Sequence, residues 1–252
     1  MRENYTTDAI NLKSYNLSES DKIILMYSRD KGLIKGVAKG VKKIKSKLGG
    51  RMESFVANKL LLNKGKNMDT ICQAEAINTF ANLRNNMDKL IYSSYVAEVV
   101  SIFGYENDSN SKEVYDIFYK TLNRIANSQH KIEILLNVIR YQLKIMRLFG
   151  YELSLLNCVH CGCKVDEKSL FSTNLGGILC EDCAKNYYGL TIFPIKIRDF
   201  LCELLKLDID EKSKYDDLVN EKVCDVCFNL LKNYIQSRSE KEFKTVKMLE
   251  MV

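Results

Sequence analysis

The chain has 252 residues, of which 46% are hydrophobic and 28% are charged. This composition predicts a folded protein of one or two domains and argues against disorder. No run of 18 apolar residues is present, and residues 1–10 have no apolar core of a signal peptide. We therefore expect a cytoplasmic protein, in which the nine cysteines serve as metal ligands or buried thiols before disulfides.

The net charge of +6 is unevenly distributed along the chain. Residues 1–79 contain 15 Lys and Arg against 8 Asp and Glu, whereas residues 80–252 contain 23 against 24. The excess is concentrated in residues 29–51, where Asp30 is the only acid among nine basic side chains. Such a concentration of positive charge favours a polyanionic partner.

The first 79 residues show the alternation and the turn signals of β-strands. Asp30-Lys31-Gly32 is typical of a hairpin loop, and so is Asn63-Lys64-Gly65. Five short strands separated by such turns predict a small barrel, and an oligonucleotide-binding (OB) fold is the leading candidate. The predicted strands are residues 7–13, 22–29, 33–39, 55–62 and 68–76.

From about residue 80 the apolar residues recur every three or four positions, which indicates helices. The predicted fold class is therefore α+β with two domains. An OB-fold DNA-binding domain spans residues 1–79, and an all-α domain spans residues 80–252 with a four-cysteine zinc-finger insert at about 155–190. The predicted helices are residues 83–103, 110–125, 131–149, 195–207, 218–235 and 240–252.

Two CxxC motifs, Cys158-x2-Cys161 and Cys180-x2-Cys183, are separated by 18 residues. This spacing predicts one structural Zn²⁺ held by four thiolates, because four sulfur ligands leave no open position for water. Gly176-Gly177 suits a tight turn before the second motif. Two alternatives stay open: unrelated buried thiols, or replacement of one ligand by His160 or Cys163.

A third CxxC, Cys224-x2-Cys227, lies in a helical pattern. Residues three apart share one face of a helix. These two thiols are therefore predicted to be packed core residues rather than metal ligands.

The lysine-rich stretch begins within an apparent strand, where Lys35 and Lys39 alternate onto one face. Lysine is a point charge suited to phosphates, so binding should be independent of sequence and sensitive to salt. A solvated, mobile loop is the alternative. Tyr15, Tyr27 and Phe55 could stack on bases but are more typical of a core.

Several segments in order resemble one known family. They are Thr7-Asp8-Ala9-Ile10-Asn11-Leu12, Glu19-Ser20-Asp21-Lys22, Gly32-Leu33-Ile34, Ala38-Lys39-Gly40-Val41-Lys42-Lys43, Ser46-Lys47-Leu48-Gly49-Gly50, Tyr95-Val96-Ala97-Glu98 and Gly176-Gly177-Ile178-Leu179-Cys180 with Cys183. Together they resemble the RecO family of bacterial recombination mediators over nearly the whole chain.

The resemblance implies an OB fold followed by a helical domain with a zinc finger. It also implies binding of single- and double-stranded DNA, annealing of strands coated by single-strand-binding protein, and RecA loading together with RecR. The DNA-binding character of the family maps onto Lys35, Lys39, Lys42, Lys43, Lys45, Lys47 and Arg51.

Members of this family also bind the acidic, apolar C-terminal tail of single-strand-binding protein. Arg140, Lys144 and Arg147 fall at i, i+4 and i+7 of the third predicted helix, beside an apolar stripe. A basic ridge of this kind suits such a tail. A solvated helix face is the alternative.

Catalytic functions find little support in the sequence. It contains no GxxxxGK[ST] motif, and its only histidines are His130 and His160. A zinc deaminase would need an H-x-E element and a proline before the cysteine pair, and both are missing. The predicted function is a non-enzymatic DNA mediator, and the alternative is a zinc-ribbon adaptor that binds only proteins.

Overall fold

A computed structural model describes residues 3–165, 169–214 and 220–249. The chain folds into two compact units, one of Met1–Asn127 with Lys244–Val252 and one of Ser128–Phe243. The predicted boundary at residue 79 marks the change from strands to helices, whereas the two units separate after residue 127. The first unit therefore contains helices in addition to the strands.

The first unit contains a closed five-stranded barrel with the strand order β1-β2-β3-β5-β4. The β3–β5 pair is parallel and the other neighbouring pairs are antiparallel. This topology confirms the predicted OB fold. The strands are β1 Asn4–Asn16, β2 Lys22–Ser28, β3 Gly32–Ala38, β4 Ala57–Asn63 and β5 Asp69–Asn78.

The alternation of β3 decides which side chains fill the barrel. Ile34, Gly36 and Ala38 are buried, while Lys35 points outward. A Cβ at Gly36 would lie 2.8 Å from Ile71 Cγ1, so the closure of β3 onto β5 requires glycine here. The barrel core also contains Ala9, Ile24, Met26, Leu60 and Leu62.

Helices α1 (Met87–Phe103) and α2 (Ser111–Asn127) complete most of this unit. The loop that joins them is hydrogen-bonded to the β2–β3 turn. Leu33 N donates to Tyr105 O at 3.0 Å, and Asn107 N donates to Lys31 O at 2.7 Å. Gly32 has a φ of +68°, and a Cβ there would lie 2.3 Å from Tyr105 O. The hairpin glycine thus permits the barrel to pack against its helices.

The second unit is mainly helical and contains a three-stranded antiparallel sheet of order β7-β6-β8. The sequence did not predict this sheet, because strands of two or three residues are too short to show a period of two. The predicted helix start at residue 218 lies outside the described residues. The elements are α3 Lys131–Leu148, β6 Leu170–Ser172, β7 Gly177–Leu179, α4 Glu181–Ala184, β8 Thr191–Ile192, α5 Ile195–Lys206 and α6 Glu221–Ser237.

The third CxxC motif lies on α6, as predicted. Cys224 and Cys227 are both fully buried in the core of the second unit. Burial, together with the neighbouring Cys224, raises the pKa of Cys227 to about 12. A thiol with such a pKa is an inert packing group at neutral pH.

The last described helix, α7 (Lys244–Leu249), belongs to the first unit. The Glu98 carboxylate on α1 accepts hydrogen bonds from Lys244 N at 3.0 Å, Thr245 N at 2.8 Å and Thr245 Oγ1 at 2.6 Å. Glu98 therefore caps α7 from another helix. Residues 250–252 of the predicted final helix lie outside the described part. No helix within the described ranges has the length and apolar character needed to span a membrane.

Candidate nucleic-acid interface and metal centre

The basic loop, residues 39–51, follows β3 and is packed onto the barrel. Val41, within the loop, and Met52, just beyond it, are buried in the barrel core, and Leu48 packs against the same core. These three apolar side chains point inward. The loop is thereby held so that its charged side chains face solvent.

Hydrogen bonds from buried side chains hold the end of the basic loop. The Asn11 amide donates to Arg51 O at 2.7 Å and to Glu53 O at 2.9 Å. The Asn58 amide donates to Arg51 O at 2.8 Å. Both asparagines are buried in the barrel wall, so the backbone around Arg51 is fixed by the fold.

The start of the loop is held by Asp21, in the turn between β1 and β2. Gly40 N donates to Asp21 Oδ1 at 2.7 Å, and Lys42 N donates to Ser20 O at 3.0 Å. The Gly40 N–H, together with the Ser20 hydroxyl, holds the pKa of Asp21 below its usual value. The basic loop is anchored at both ends and is not a free tether.

All seven cations predicted to bind DNA are exposed, and six of them lie in the basic loop. Lys42 Nζ donates to Ser18 O at 2.9 Å, and Arg51 Nη1 donates to Lys47 O at 3.2 Å. Ile44 is fully exposed among them, an accessible apolar group that the sequence reading did not single out. The set is Lys35, Lys39, Lys42, Lys43, Lys45, Lys47 and Arg51.

The three candidate stacking residues differ in accessibility. Tyr27 and Phe55 are buried, and Tyr27 Oη donates to Asp108 Oδ2 at 3.1 Å. Tyr15 is 45% exposed, with the Lys13 ammonium 5.2 Å from its ring centroid. Of the three, Tyr15 alone is accessible to a base.

The four predicted cysteines converge in the second unit. The sulfurs of Cys158, Cys161, Cys180 and Cys183 all lie within 4.8 Å of one another. The Cys161 and Cys180 sulfurs are 3.9 Å apart. Tetrahedral Zn²⁺ with bonds of about 2.3 Å places its sulfur ligands about 3.8 Å apart. The cluster therefore fits a metal ion of this kind.

Backbone geometry brings the two knuckles together. Gly162 N donates to Cys158 O at 2.9 Å, and Ala184 N donates to Cys180 O at 2.9 Å, so each pair is wound on one turn. Val159 N donates to Ile178 O at 2.9 Å and joins the first knuckle to β7. A Cβ at Gly177 would lie 2.4 Å from Val159 Cγ1, so glycine is required for this approach.

The electrostatics of the cluster favour thiolates at two positions. Burial raises the pKa of Cys158, but the N–H groups of Cys161, Cys180 and His160 outweigh it and bring the value to about 6. The Cys183 N–H similarly lowers the pKa of Cys180. Thiolate is the form that binds metal.

His160 and Cys163 are not members of the four-sulfur cluster. His160 Nδ1 is hydrogen-bonded to Tyr187 Oη at 2.8 Å. A hydrogen bond with Cys161, together with burial, raises the pKa of Cys163 to about 12. The geometry thus favours the four clustered cysteines as the candidate ligands over a set in which His160 or Cys163 replaces one of them.

The three cations of α3 do not form the expected exposed ridge. Arg140 is only 1% exposed, and its guanidinium donates to Glu211 O. Lys144 Nζ donates to Leu207 O, and burial lowers the pKa of Lys144. Only Arg147 faces solvent, 3.6 Å from Glu152 Oε2. The prediction of an exposed basic ridge was wrong, because α3 is buried around most of its circumference.

Comparison with known proteins identifies the family. The model for the N-terminal part of recombination protein O matches residues 1–80, and the model for its C-terminal part matches residues 84–246. The chain belongs to the RecO family.

Proteins named DNA repair protein RecO resemble the chain, two of them over nearly its full length. The protein of Desulforamulus reducens is 30% identical over 98% of this chain and 94% of its own. That of Pelotomaculum thermopropionicum is 30% identical over 98% and 93%, respectively. That of Trichodesmium erythraeum is 41% identical over 53% and 46%. As a member of the RecO family, the chain is a DNA repair protein.

Proposed function

We propose that this RecO-family chain is a non-enzymatic recombination mediator that acts in the cytoplasm at the nucleoid. It binds single- and double-stranded DNA without sequence preference. It anneals complementary strands coated by single-strand-binding protein and, with RecR, promotes RecA loading. The observation that carries the proposal is the basic loop, which is held on the barrel by buried Val41 and by Leu48 while its cations face solvent.

The binding mode follows from the chemistry of the loop. An ammonium group presents a point charge to phosphate and lacks the planar fork that reads base edges. Six lysines and Arg51 held on a rigid barrel would release the condensed counterions of DNA. Binding would therefore weaken steeply with salt and would be alike for all sequences.

Annealing follows from the same surface. Two complementary strands repel each other, and a dense row of cations lowers that repulsion where both strands bind. The loop supplies charge without any base-specific pocket, so paired and unpaired strands can bind alike. This would allow product duplex to form on the protein.

We assign the four-cysteine cluster a structural Zn²⁺ ion. Four sulfur ligands would fill the tetrahedral shell, so the metal would supply cross-linking and no catalysis. Cys158, Cys161, Cys180 and Cys183 would hold it and would fix the two knuckles to β7 and α4.

The tail of single-strand-binding protein would bind at Arg147. This residue lines a cleft of 300 Å³ in the second unit together with Leu156, Leu205 and Lys206. Leu156 is exposed, so the cleft offers apolar contact beside two cations. An acidic tail with apolar side chains matches this combination. Arg140 and Lys144 would instead support the cleft from within α3.

The first experiment replaces Lys39, Lys42 and Lys43 together by Glu. We expect affinity for oligonucleotides of any sequence to fall by roughly 100-fold, and the salt slope on duplex DNA to decrease by about 2.7, near 0.9 per lost phosphate contact. Fluorescence anisotropy between 50 and 200 mM salt measures both. Lys59→Glu is the control, because Lys59 is an exposed lysine of β4 outside the basic loop.

A second experiment measures annealing of complementary oligonucleotides coated by single-strand-binding protein, with and without RecR. The wild type should anneal them, and the triple variant should not. If the wild-type protein does not bind oligonucleotides at low salt, the mediator function is contradicted and the zinc-ribbon adaptor is favoured.

Metal removal tests the structural role of the cluster. A chelator should lower the melting temperature of the protein, since structural zinc contributes directly to folding. Metal content measured before and after treatment identifies the ion. DNA affinity should be retained, because the basic loop belongs to the barrel. Unchanged melting after complete metal loss would contradict the assignment.

A further inference from the structure

A second group of lysines lines a groove at the opposite end of β3 from the basic loop. The groove has a volume of 420 Å³ and is lined by Lys31, Lys35, Lys64 and Lys66, with Tyr5 and Glu106. Lys64 and Lys66 belong to the turn between β4 and β5, and Lys31 to the turn between β2 and β3. Of these lysines, Lys31 and Lys35 lie in the basic stretch 29–51, and Lys35 alone was among the seven cations predicted to bind DNA.

Hydrogen bonds preorganise this β4–β5 turn. Gly65 N donates to Asp69 Oδ1 at 3.0 Å, and Tyr5 Oη donates to Asp69 Oδ2 at 2.5 Å. A Cβ at Gly65 would lie 1.9 Å from Met68 O, so the turn closes tightly around glycine. The carboxylate of Asp69 thus accepts hydrogen bonds from the turn and from Tyr5, which hold it in place at the groove.

The remaining cations of the groove are only weakly neutralised. The Lys31 ammonium lies 4.5 Å from the Tyr5 ring centroid, which positions it without removing its charge. Lys64 Nζ lies 3.8 Å from Glu3 Oε2, and both side chains are mostly exposed. An exposed pair of this kind contributes little and exchanges readily for another anion.

We propose that Lys31, Lys64 and Lys66 form a second phosphate-binding segment for the DNA backbone, joined to the basic loop through Lys35. Lys35 on β3 and Lys39 just beyond its end are four residues apart, or about 13 Å at 3.3 Å per residue. That distance equals the rise of about four nucleotides of one strand along the axis of B-DNA, at about 3.4 Å each. One strand can therefore contact both clusters, and the bound length exceeds that of the loop alone. This inference rests on the proposed DNA-binding function.

The test compares Lys64→Gln/Lys66→Gln with the wild type on a single-stranded oligonucleotide. We expect the salt slope to decrease by about 1.4, since each phosphate contact on single strands contributes about 0.7. Lys64→Arg/Lys66→Arg should keep the wild-type slope. Lys59→Gln should also keep it, because that lysine is exposed on β4 outside the groove. Glu106→Gln should act in the opposite sense and tighten binding, because it removes a groove carboxylate.

The outcomes separate this inference from the function on which it rests. A steep wild-type slope that the double Gln variant leaves unchanged would overturn the second segment alone. A decrease of about 0.7 in the slope for Lys59→Gln, half that of the double variant, would overturn it as well, since loss of net charge alone would then explain the effect. A wild type without salt-dependent binding would overturn both the segment and the proposed function.

Discussion

The basic loop and helix α3 both carry an excess of positive charge, six cations without an acid in the loop and four cations with one acid in α3, yet the structure places these cations differently. In the loop, Val41 is buried and the lysines point to solvent. In α3, Arg140 is buried and donates to a backbone carbonyl of its own unit. A buried cation that satisfies an internal carbonyl cannot also bind a polyanion, whereas an exposed one such as Lys42 can exchange its carbonyl for a phosphate. A count of charges therefore indicates a binding surface only where the neighbouring apolar residues can turn inward.

Charge reversal at Arg140 should cause the largest change, which is a loss of folding stability. Arg140→Glu places an unpaired carboxylate in a buried site and removes the donor to Glu211 O, so the free energy of unfolding should fall by about 3–5 kcal/mol. Chemical denaturation measures the loss. Arg147→Glu on the same helix is exposed and should change stability by no more than about 0.5 kcal/mol. If both substitutions lowered the free energy of unfolding equally, the conclusion that burial separates Arg140 from the exposed cations would be contradicted.

Arg147 sharpens the comparison, because it is the one α3 cation that resembles the lysines of the loop. Arg147→Glu should weaken binding of a tail peptide of single-strand-binding protein by about 1.5–3 kcal/mol, the usual contribution of a charge-assisted hydrogen bond. Titration calorimetry with the peptide measures it. DNA affinity of the same variant should match the wild type, and an unchanged peptide affinity would remove the cleft as a tail site.

Asn11 tests whether the rigidity of the loop matters. Asn11→Ala removes the donor to Arg51 O and Glu53 O, which should cost about 1–3 kcal/mol of stability. DNA affinity should also fall, because the anchored end of the loop gains freedom that binding must then remove. Asn16→Ala, at the exposed end of the same strand, is the matched control. Destabilisation without any loss of DNA affinity would show that anchoring is irrelevant to binding.

The smallest expected change is a local one at Asp21, which holds the start of the basic loop. In the folded protein the pKa of Asp21 lies below its usual value. The ionised carboxylate therefore adds to folding stability above the unfolded pKa of about 3.9, and this stabilisation is lost as pH falls through the folded pKa. Protection of the Gly40 amide from hydrogen exchange should decrease over that acidic range. In Asp21→Asn the protection should be lower at neutral pH and should lack this pH dependence. Protection that is the same in both proteins would contradict the anchor.

The elements that the sequence predicted well have long, regular patterns. The five strands, the helices α1 to α3 and the clustering of the four cysteines all follow from spacing, because strand alternation, helical periodicity and the CxxC turn are local. The sheet of β6, β7 and β8 was missed because its strands pair two or three residues each. Lys64 and Lys66 were missed because two lysines in a turn carry no local signal.

By itself the sequence determined that a basic barrel comes first, that helices follow, and that four cysteines converge. The tertiary structure alone decided which cations are free. Arg140 and Lys144 look like surface residues by spacing, but the chain segment around Leu207 and Glu211 covers them and supplies their acceptors. The physical reason is that burial depends on contacts between residues far apart in the chain, whereas periodicity reports only on neighbours.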